Sequence, residues 1–419
     1  MRAAARSACM VSITIVTWNS ARYLNECVAA LATQECRDVE VIVVDNASAD
    51  GTREILGRVD PSWRVIYNAE NVGFAAGQNQ AICVSRGEWV LCLNPDVVLG
   101  ADFVSQLVRA GEAHSEAGWL CGKLLRWDPT ARVEQAFRPA SPAGNEVGRE
   151  MRSTTSSPEE KLGNGAARGP EGPLYRNLSG TPESAPLPST AVSPRQRQSP
   201  DSAAEIGSDP RRTNIIDSTG IYFTRNMRHL DRGAEEVDRG QYDRMQYVFG
   251  ASGAAAMFRR SFIEDVSVEG EFFDEEFFAF REDGDLAWRA QVMGWKCLYV
   301  PAAVAWHVRR VTPERRRDLP LVINWHSAKN RFLMRGKNAS GWLCRRLFFP
   351  VLWRDIMTYG YAIVRDRRLW SAVTYWWRAR DSVRRKRANI QARRRISDRD
   401  LLWWFCDSAR SIDVPRDER

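Results

Sequence analysis

Short apolar, β-branched runs alternate with helically spaced apolar residues over the first 128 positions. VSITIVTW (11–18) predicts a first strand, and Leu24, Cys27, Val28 and Leu31 give the stretch from Ser20 to Thr33 one apolar helical face. VEVIVVDN (39–46) is a continuous apolar run ending in polar residues, the pattern of a strand buried on both faces. Asp50-Gly51-Thr52 opens a second helix, WRVIYN (63–68) is a third strand, Gly77 to Ser85 a third helix, and EWVLCLNPD (88–96) a fourth strand. This alternation predicts an α/β fold with a mostly parallel sheet, right-handed crossovers and flanking helices. Ligands bind such sheets at the carboxyl ends of the strands, where Thr17, Asn19, Asp45, Asn46, Asn94 and Asp96 fall.

The texture changes between 129 and 212. Twelve of the nineteen prolines lie there, with Phe137 and Tyr175 the only aromatics. Such a stretch buries too little apolar area to offset its ordering entropy, so a mostly disordered insertion is expected, with 140–210 dispensable for folding. Folded pattern resumes for 213–338, and 339–419 reads as a separate helical tail rich in Trp and Arg.

At 419 residues, 44% hydrophobic and 10% aromatic, the chain can bury a sizeable core, which excludes a wholly disordered or collagen-like protein. The net charge of +8 is unevenly placed. Residues 341–419 hold 19 Lys and Arg against 9 Asp and Glu, leaving the other 340 at −2. Any partner drawn by positive charge is a matter for the tail. Nine scattered cysteines without a CxxC pair fit buried thiols in a reducing compartment rather than a metal cluster or disulfide framework. The N-terminal apolar run meets Asn19 and Ser20 at once and reads as a strand, not a leader. No run reaches the roughly 20 apolar residues of a membrane span, and a cytoplasmic protein is expected.

Four constellations carry candidate chemistry. In Asp45-Asn46-Ala47-Ser48-Ala49-Asp50-Gly51, Ser48 or Asp50 can cap the following helix, while Asp45 can serve the loop or accept from a pyrimidine N–H. The run NAENVGFAAGQNQ (68–80) offers backbone amides for close approach to a ligand, with neither a Walker nor a dinucleotide fingerprint. Asn94-Pro95-Asp96 is good turn chemistry and also sets a carboxylate at a strand end, where it could ligate a hard cation. Glu282-Asp283-Gly284-Asp285, beside five phenylalanines in 272–280, suits either a helix first turn or carboxylates in a partly apolar cleft. Downstream, Lys296 to Val300 reads as a strand, and His307 is either structural or a metal ligand.

In order, VSITIVTWNS, VIVVDNASADGT, NAENVGFAAGQNQ, LNPDVVL, FGASGAAAMFRR, FFDEEFFAFREDGDLAWR and YVPAAVAWH resemble the family-2 glycosyltransferases of the GT-A fold, particularly a bacterial rhamnosyltransferase-like branch. The resemblance covers 11–128 and about 215–335. It implies a nucleotide-diphosphate-sugar donor bound by the half 11–128, with Thr17, Asn19, Asp45, Asn71, Gly73, Asn79 and Asn94 on the substrate side. It also implies Asp96 and His307 as ligands of Mg²⁺ or Mn²⁺, Asn94 taking the place of the usual first aspartate. Asp283 would be the catalytic base, while Glu282, placed in the loop just before the helix, could orient an acceptor or bond the backbone. Geometry supports that choice: successive helical positions point about 100° apart, and Asp285 is spaced to pair with Arg289.

The implied reaction inverts the anomeric centre while moving a sugar, rhamnose among the candidates, to a hydroxyl of a cell-surface polysaccharide or lipid-linked glycan. The tail 339–419 would meet an anionic membrane at the inner face of the plasma membrane, or else pack on the domain; nucleic acid is not expected as a partner. Two other classes stand beside this reading: a non-catalytic, membrane-associated scaffold on the same fold, and a nucleotidyltransferase. The latter needs a basic phosphate loop after the first strand, which Thr17-Trp18-Asn19-Ser20 lacks.

Overall fold

A computed structural model describes residues 10–131, 209–309, 321–364 and 369–415. The expected insertion at 129–212 lies almost wholly outside these residues, and so does the expectation that 140–210 is dispensable.

Strands β1 (Val11–Thr17), β2 (Val39–Asn46), β3 (Arg64–Asn68) and β4 (Trp89–Leu93) pair in parallel in the order β3-β2-β1-β4. Helices α1 (Ala21–Ala32), α2 (Thr52–Leu56) and α3 (Phe74–Val84) make the crossovers. β1 and β4 are buried at every position; β4 is apolar throughout, and β1 buries Ser12, Thr14 and Thr17 between its apolar residues. α3 begins three residues before the predicted start because Gly73, at φ +90°, turns the chain into it. A Cβ at Gly73 would come within 2.6 Å of Phe278, so only glycine allows this loop to close on the Phe278 segment.

β5 (Val97–Leu99), α4 (Phe103–Ala113) and β6 (Ala117–Trp127) complete the first part of the chain. Then come β7 (Arg212–Ser218), β8 (Ile221–Phe223), β9 (His229–Asp231), β10 (Gln246–Val248), β11 (Ala255–Arg259), α5 (Arg260–Val266), α6 (Glu282–Val292) and β12 (Lys296–His307). The C-terminal elements are α7 (Leu321–Asn338), α8 (Gly341–Arg346), α9 (Phe348–Val364), α10 (Leu369–Ala392), α11 (Asp398–Trp403) and β13 (Ile412–Asp413). β11 runs antiparallel between β4 and β6, β12 lies parallel to β6, and the main path is β13-β10-β12-β6-β11-β4-β1-β2-β3, with β5 added on β12 and β7 on β6. β8 and β9 form a separate hairpin.

The tail is not the separate element its composition predicts. β13 adds an edge strand to the main sheet through β10, and Leu343, Val383, Ile390, Leu401, Trp404 and Phe405 are buried in the same core as Phe258 and Trp288. Its cations are partly spent inside: Lys386 Nζ lies 2.8 Å from Asp274, and Arg393 donates to the carbonyls of Asp265 and Ser267. Widely spaced core residues in an arginine-rich sequence hide this packing from a periodicity reading.

Candidate active site

The parallel half builds its strand-end loops from side chains bonded to one another. Thr17 Oγ1 donates to Asp45 Oδ1 at 3.0 Å, while Asp45 Oδ2 accepts from Ser48 N at 3.1 Å and Arg53 Nε at 2.8 Å. Both residues are fully buried. The Asp45 carboxylate, the group expected near a pyrimidine, thus accepts three hydrogen bonds within the protein and shapes the 45–52 loop. Neither Ser48 nor Asp50 is the N-cap of α2: that position is Gly51, at φ +76°. Ser48 Oγ instead accepts from Asn19 N at 2.9 Å, and Asp50 Oδ1 accepts from Thr52 N at 3.2 Å. Asn19 stays exposed at φ +49°, its Oδ1 accepting from Ala49 N at 2.8 Å.

Further along, Asn46 Nδ2 donates to the Gly73 carbonyl at 2.9 Å, and Asn71 Oδ1 accepts from Gly73 N at 2.9 Å. Asn94 holds the turn before Asp96, its backbone N–H donating to Ala254 at 2.8 Å. Asn79 departs from its expected role. Its Nδ2 donates to the Phe273 carbonyl at 2.8 Å and its Oδ1 accepts from Phe273 N at 2.9 Å, so both ends of the amide pin the 272–277 segment.

Asp96 and His307, 211 positions apart, are brought together by the sheet. Pairing of β5 with β12 sets His307 opposite Val97, leaving His307 Nε2 3.6 Å from Asp96 Oδ1. His307 Nδ1 lies 2.8 Å from Asp217 Oδ2, and Arg309 donates to Asp217 Oδ1 at 3.0 Å and to Asp231 Oδ2 at 2.5 Å. Burial would lower the His307 pKa, but Asp217 and then Asp96 push it up to about 10. Burial would likewise raise Asp217, yet His307 and Arg309 hold it below its ordinary value.

A divalent cation fits the Asp96–His307 pair. Asp96 Oδ1 and His307 Nε2 stand 3.6 Å apart, a metal would bind Nε2 in place of its proton, and Asp217 on the far nitrogen is the outer partner that orients a metal-bound imidazole. Among the described residues no group of three or more His, Cys, Asp or Glu side chains gathers for a metal. The ion would take two protein ligands, its remaining positions falling to diphosphate oxygens and water, as Mg²⁺ favours.

The acid cluster opens α6, with Glu282 its first residue rather than part of the preceding loop. Asp283 Oδ2 accepts from Gly253 N at 3.2 Å, and Oδ1 accepts from Gly284 N at 2.7 Å. Burial raises the Asp283 carboxyl above its ordinary value against those two N–H groups. Burial and the Asp283 charge push Glu282 up to about 8. Asp285 has the expected i,i+4 ion pair with Arg289, at 4.0 Å, but Lys337 Nζ at 3.1 Å and Asn338 Nδ2 at 2.7 Å hold the carboxylate more closely. One turn of helix is a looser reach than α7, which packs directly against this face.

Five residues of the site gave no sequence signal that was read. His229 Nε2 lies 3.8 Å from Asp283 Oδ1, and a Cβ at Gly284 would meet the His229 ring at 2.7 Å. His229 and Asp231, two apart on β9, share a face; Asp231 reaches Arg309 and lies near enough to feel the Asp283 charge. Asp217 completes the string to His307. Asn330 on α7 donates to the carbonyls of Phe277, Ala279 and Phe280 at 2.9, 2.8 and 2.6 Å. It thereby clamps a segment in which Phe278, Phe280 and Arg281 all have positive φ. The polar alternation of His229-Leu230-Asp231 is the one hint that could have marked this strand.

The profile of glycosyl transferase family 2 matches residues 12–134. An N-acetylglucosaminyltransferase of Bradyrhizobium elkanii is 41% identical over 109 residues, covering 24% of this chain and 58% of the relative. An N-acetylglucosaminyl-diphospho-decaprenol L-rhamnosyltransferase of Mycobacterium tuberculosis is 29% identical over 140 residues, covering 31% of this chain and 45% of the relative. The crystal structure of S. aureus TarS aligns with 91% of this chain and 54% of its own at 15% identity and a TM-score of 0.45, a likeness on which nothing rests. The chain thus spans about half the length of these two relatives. The match holds the strand-end loops and Asp96: residues 12–134 fit glycosyl transferase family 2.

Proposed function

We propose that the chain is an inverting glycosyltransferase that moves a sugar from a nucleotide-diphosphate-sugar to an acceptor hydroxyl. One observation carries this reading. Asp283 is linked through His229 and Asp231 on β9, and then Arg309 and Asp217, to His307 and Asp96, so a candidate base and a candidate diphosphate site belong to one polar string. Asp283, raised by burial, takes the proton from the acceptor hydroxyl as its oxygen attacks the anomeric carbon opposite the leaving diphosphate. His229 orients the carboxylate, and Asn330 fixes the segment that delivers it. Mg²⁺ or Mn²⁺ held by Asp96 and His307 would supply positive charge to the diphosphate.

Rhamnose as the sugar and a lipid-linked glycan as the acceptor rest on the name of the mycobacterial relative. With such an acceptor the protein works in the cytoplasm at the inner face of the plasma membrane. Nucleoside diphosphate release from a panel of nucleotide-sugars, with and without chelator, tests the reading. Release that Asp96→Ala abolishes in a protein still folded supports it. No release from any donor with Mg²⁺ or Mn²⁺, or full release in excess chelator, overturns it.

A further inference from the structure

Helix α9 is turned inside out. Its polar residues face the protein: Asp355 Oδ1 lies 2.5 Å from Arg331 and its Oδ2 2.8 Å from Arg335, and Arg331 donates to Thr358 Oγ1 at 2.7 Å. Six of its apolar residues face out, while Val351 packs against the core. Phe349 is 80% exposed, Trp353 67%, Ile356 52% and Met357 55%, with Phe348 and Leu352 also exposed. Positions 349, 352, 353, 356 and 357 follow helical spacing, so these side chains form one stripe. The ion pairs on the opposite side fix that orientation, because rotating the helix to bury the stripe would expel Asp355 from its two arginines.

We infer that this stripe is a membrane-docking face on which α9 lies in the plane of an anionic bilayer. Charge selects this occupant. From Gly341 to Val364 the chain has three arginines, Arg345, Arg346 and Arg354, and one acid, Asp355, which is turned inward. Arg345 and Arg346 are exposed at the end of α8, beside the stripe in sequence, and Trp342 on the same short helix is partly exposed. An apolar face with Trp and Phe, bordered by cations without an outward acid, is the composition that settles at the boundary of anionic headgroups and acyl chains. Among the described residues no helix is long and apolar enough to cross a membrane, so α9 lies on the bilayer. The inference stands apart from the transferase reading.

The test is flotation of the full chain with vesicles of phosphatidylglycerol and phosphatidylcholine, against phosphatidylcholine alone. Wild type should float with the anionic vesicles and lose that binding as salt rises. The triple variant Phe349→Ser, Trp353→Ser, Ile356→Ser should partition at least about tenfold more weakly with an unchanged melting temperature. Arg345→Glu with Arg346→Glu should weaken binding to anionic vesicles only. Wild type that stays unbound, or a triple variant that floats as well as wild type, overturns the inference. So does size exclusion showing a wild-type dimer that the triple variant breaks, which would give the stripe to a second copy. Nucleoside diphosphate release by the triple variant on a water-soluble acceptor should match wild type, which separates failure here from failure of the transferase reading.

Discussion

The first turn of α6 divides two networks of charge that differ in burial and, more sharply, in the supply of paired cations. On one side Asp285 is held by Lys337 and Asn338, and Lys337 also reaches Asp274, which Lys386 contacts at 2.8 Å. Burial alone would raise Asp274, but Lys337 and Lys386 hold its carboxyl far below the ordinary range. On the other side, Asp283 has no Lys or Arg ion pair among the described residues, and burial raises it. Glu282 beside it is pushed up to about 8. Three acids within four residues are thus sorted by their neighbours alone. Carboxylates matched by lysine lock elements together, whereas an acid left short of cations is ready to take a proton.

Exchanging acid for amide on each side is the sharpest way to break that contrast. Asp283→Asn is nearly isosteric but not basic, and should lower turnover by about 10²–10⁴ with little change in melting temperature. Asp285→Asn should leave turnover per folded molecule near wild type while stability falls, by up to about 3–5 kcal/mol, because Lys337 loses a buried counter-charge. Nucleoside diphosphate release and thermal melts read both. If Asp285→Asn proves catalytically dead and Asp283→Asn turns over normally, the sorting is wrong.

Lys337→Met tests the matched network from its other end. It strands Asp274 and Asp285 with fewer cations, and urea denaturation at neutral pH should show a loss of about 3–5 kcal/mol. The sign with pH follows from Asp274. A carboxyl lowered in the folded state contributes stability above its ordinary value of 3.8 and loses it as pH falls through the folded value. The deficit of the variant should therefore shrink below about pH 4. A deficit independent of pH would mean that packing, not charge, is what Lys337 provides.

Asn330→Ala reaches the unmatched network through the backbone. Three carbonyls lose their shared donor, and a segment with three non-glycine residues at positive φ is freed to relax. Displacing Asp283 by a fraction of an ångström should cost about 10–100-fold in turnover, with donor affinity little changed. Unaltered turnover would assign Asn330 to stability alone.

The two networks also mark where the sequence could be read. β1, β2 and β4 were legible because they are short runs rich in apolar, mostly β-branched residues and buried over most of their length, and Asp96, His307 and Asp283 stood out as candidates because motif strings flank them. Asp217, His229 and Asp231 were not, since single polar residues on short strands show neither period nor motif. The role of Lys337 and Lys386 was hidden for another reason. A lysine among arginines reads as solvated surface until packing shows that it crosses 63 or 112 positions to one buried aspartate. Asp45 and Asn79 add bonds that residue type does not announce: Asp45 accepts from Ser48 N, and Asn79 accepts from Phe273 N.

The smallest expected effect concerns Glu282, and it asks whether the unmatched side is short of cations at all. Its carboxyl moves from an ordinary 4.5 to about 8, first by burial and then by the Asp283 charge, and Oε2 is buried with no hydrogen-bond partner. An acid raised in the folded state binds more protons there than in the unfolded chain between those two values. Stability therefore falls as pH rises from 4.5 to about 8 and is flat above, as far as this group is concerned. Glu282→Gln removes the penalty. Its melting temperature should coincide with wild type below pH 4.5, rise above it across that window, and stay higher beyond, by roughly 2–4 °C for each ~1 kcal/mol of penalty removed. Turnover should fall far less than in Asp283→Asn, since glutamine can still hydrogen-bond an acceptor. A gap already complete at pH 5 would mean that Glu282 ionises like an exposed glutamate, and the contrast between the two networks would then rest on Asp283 alone.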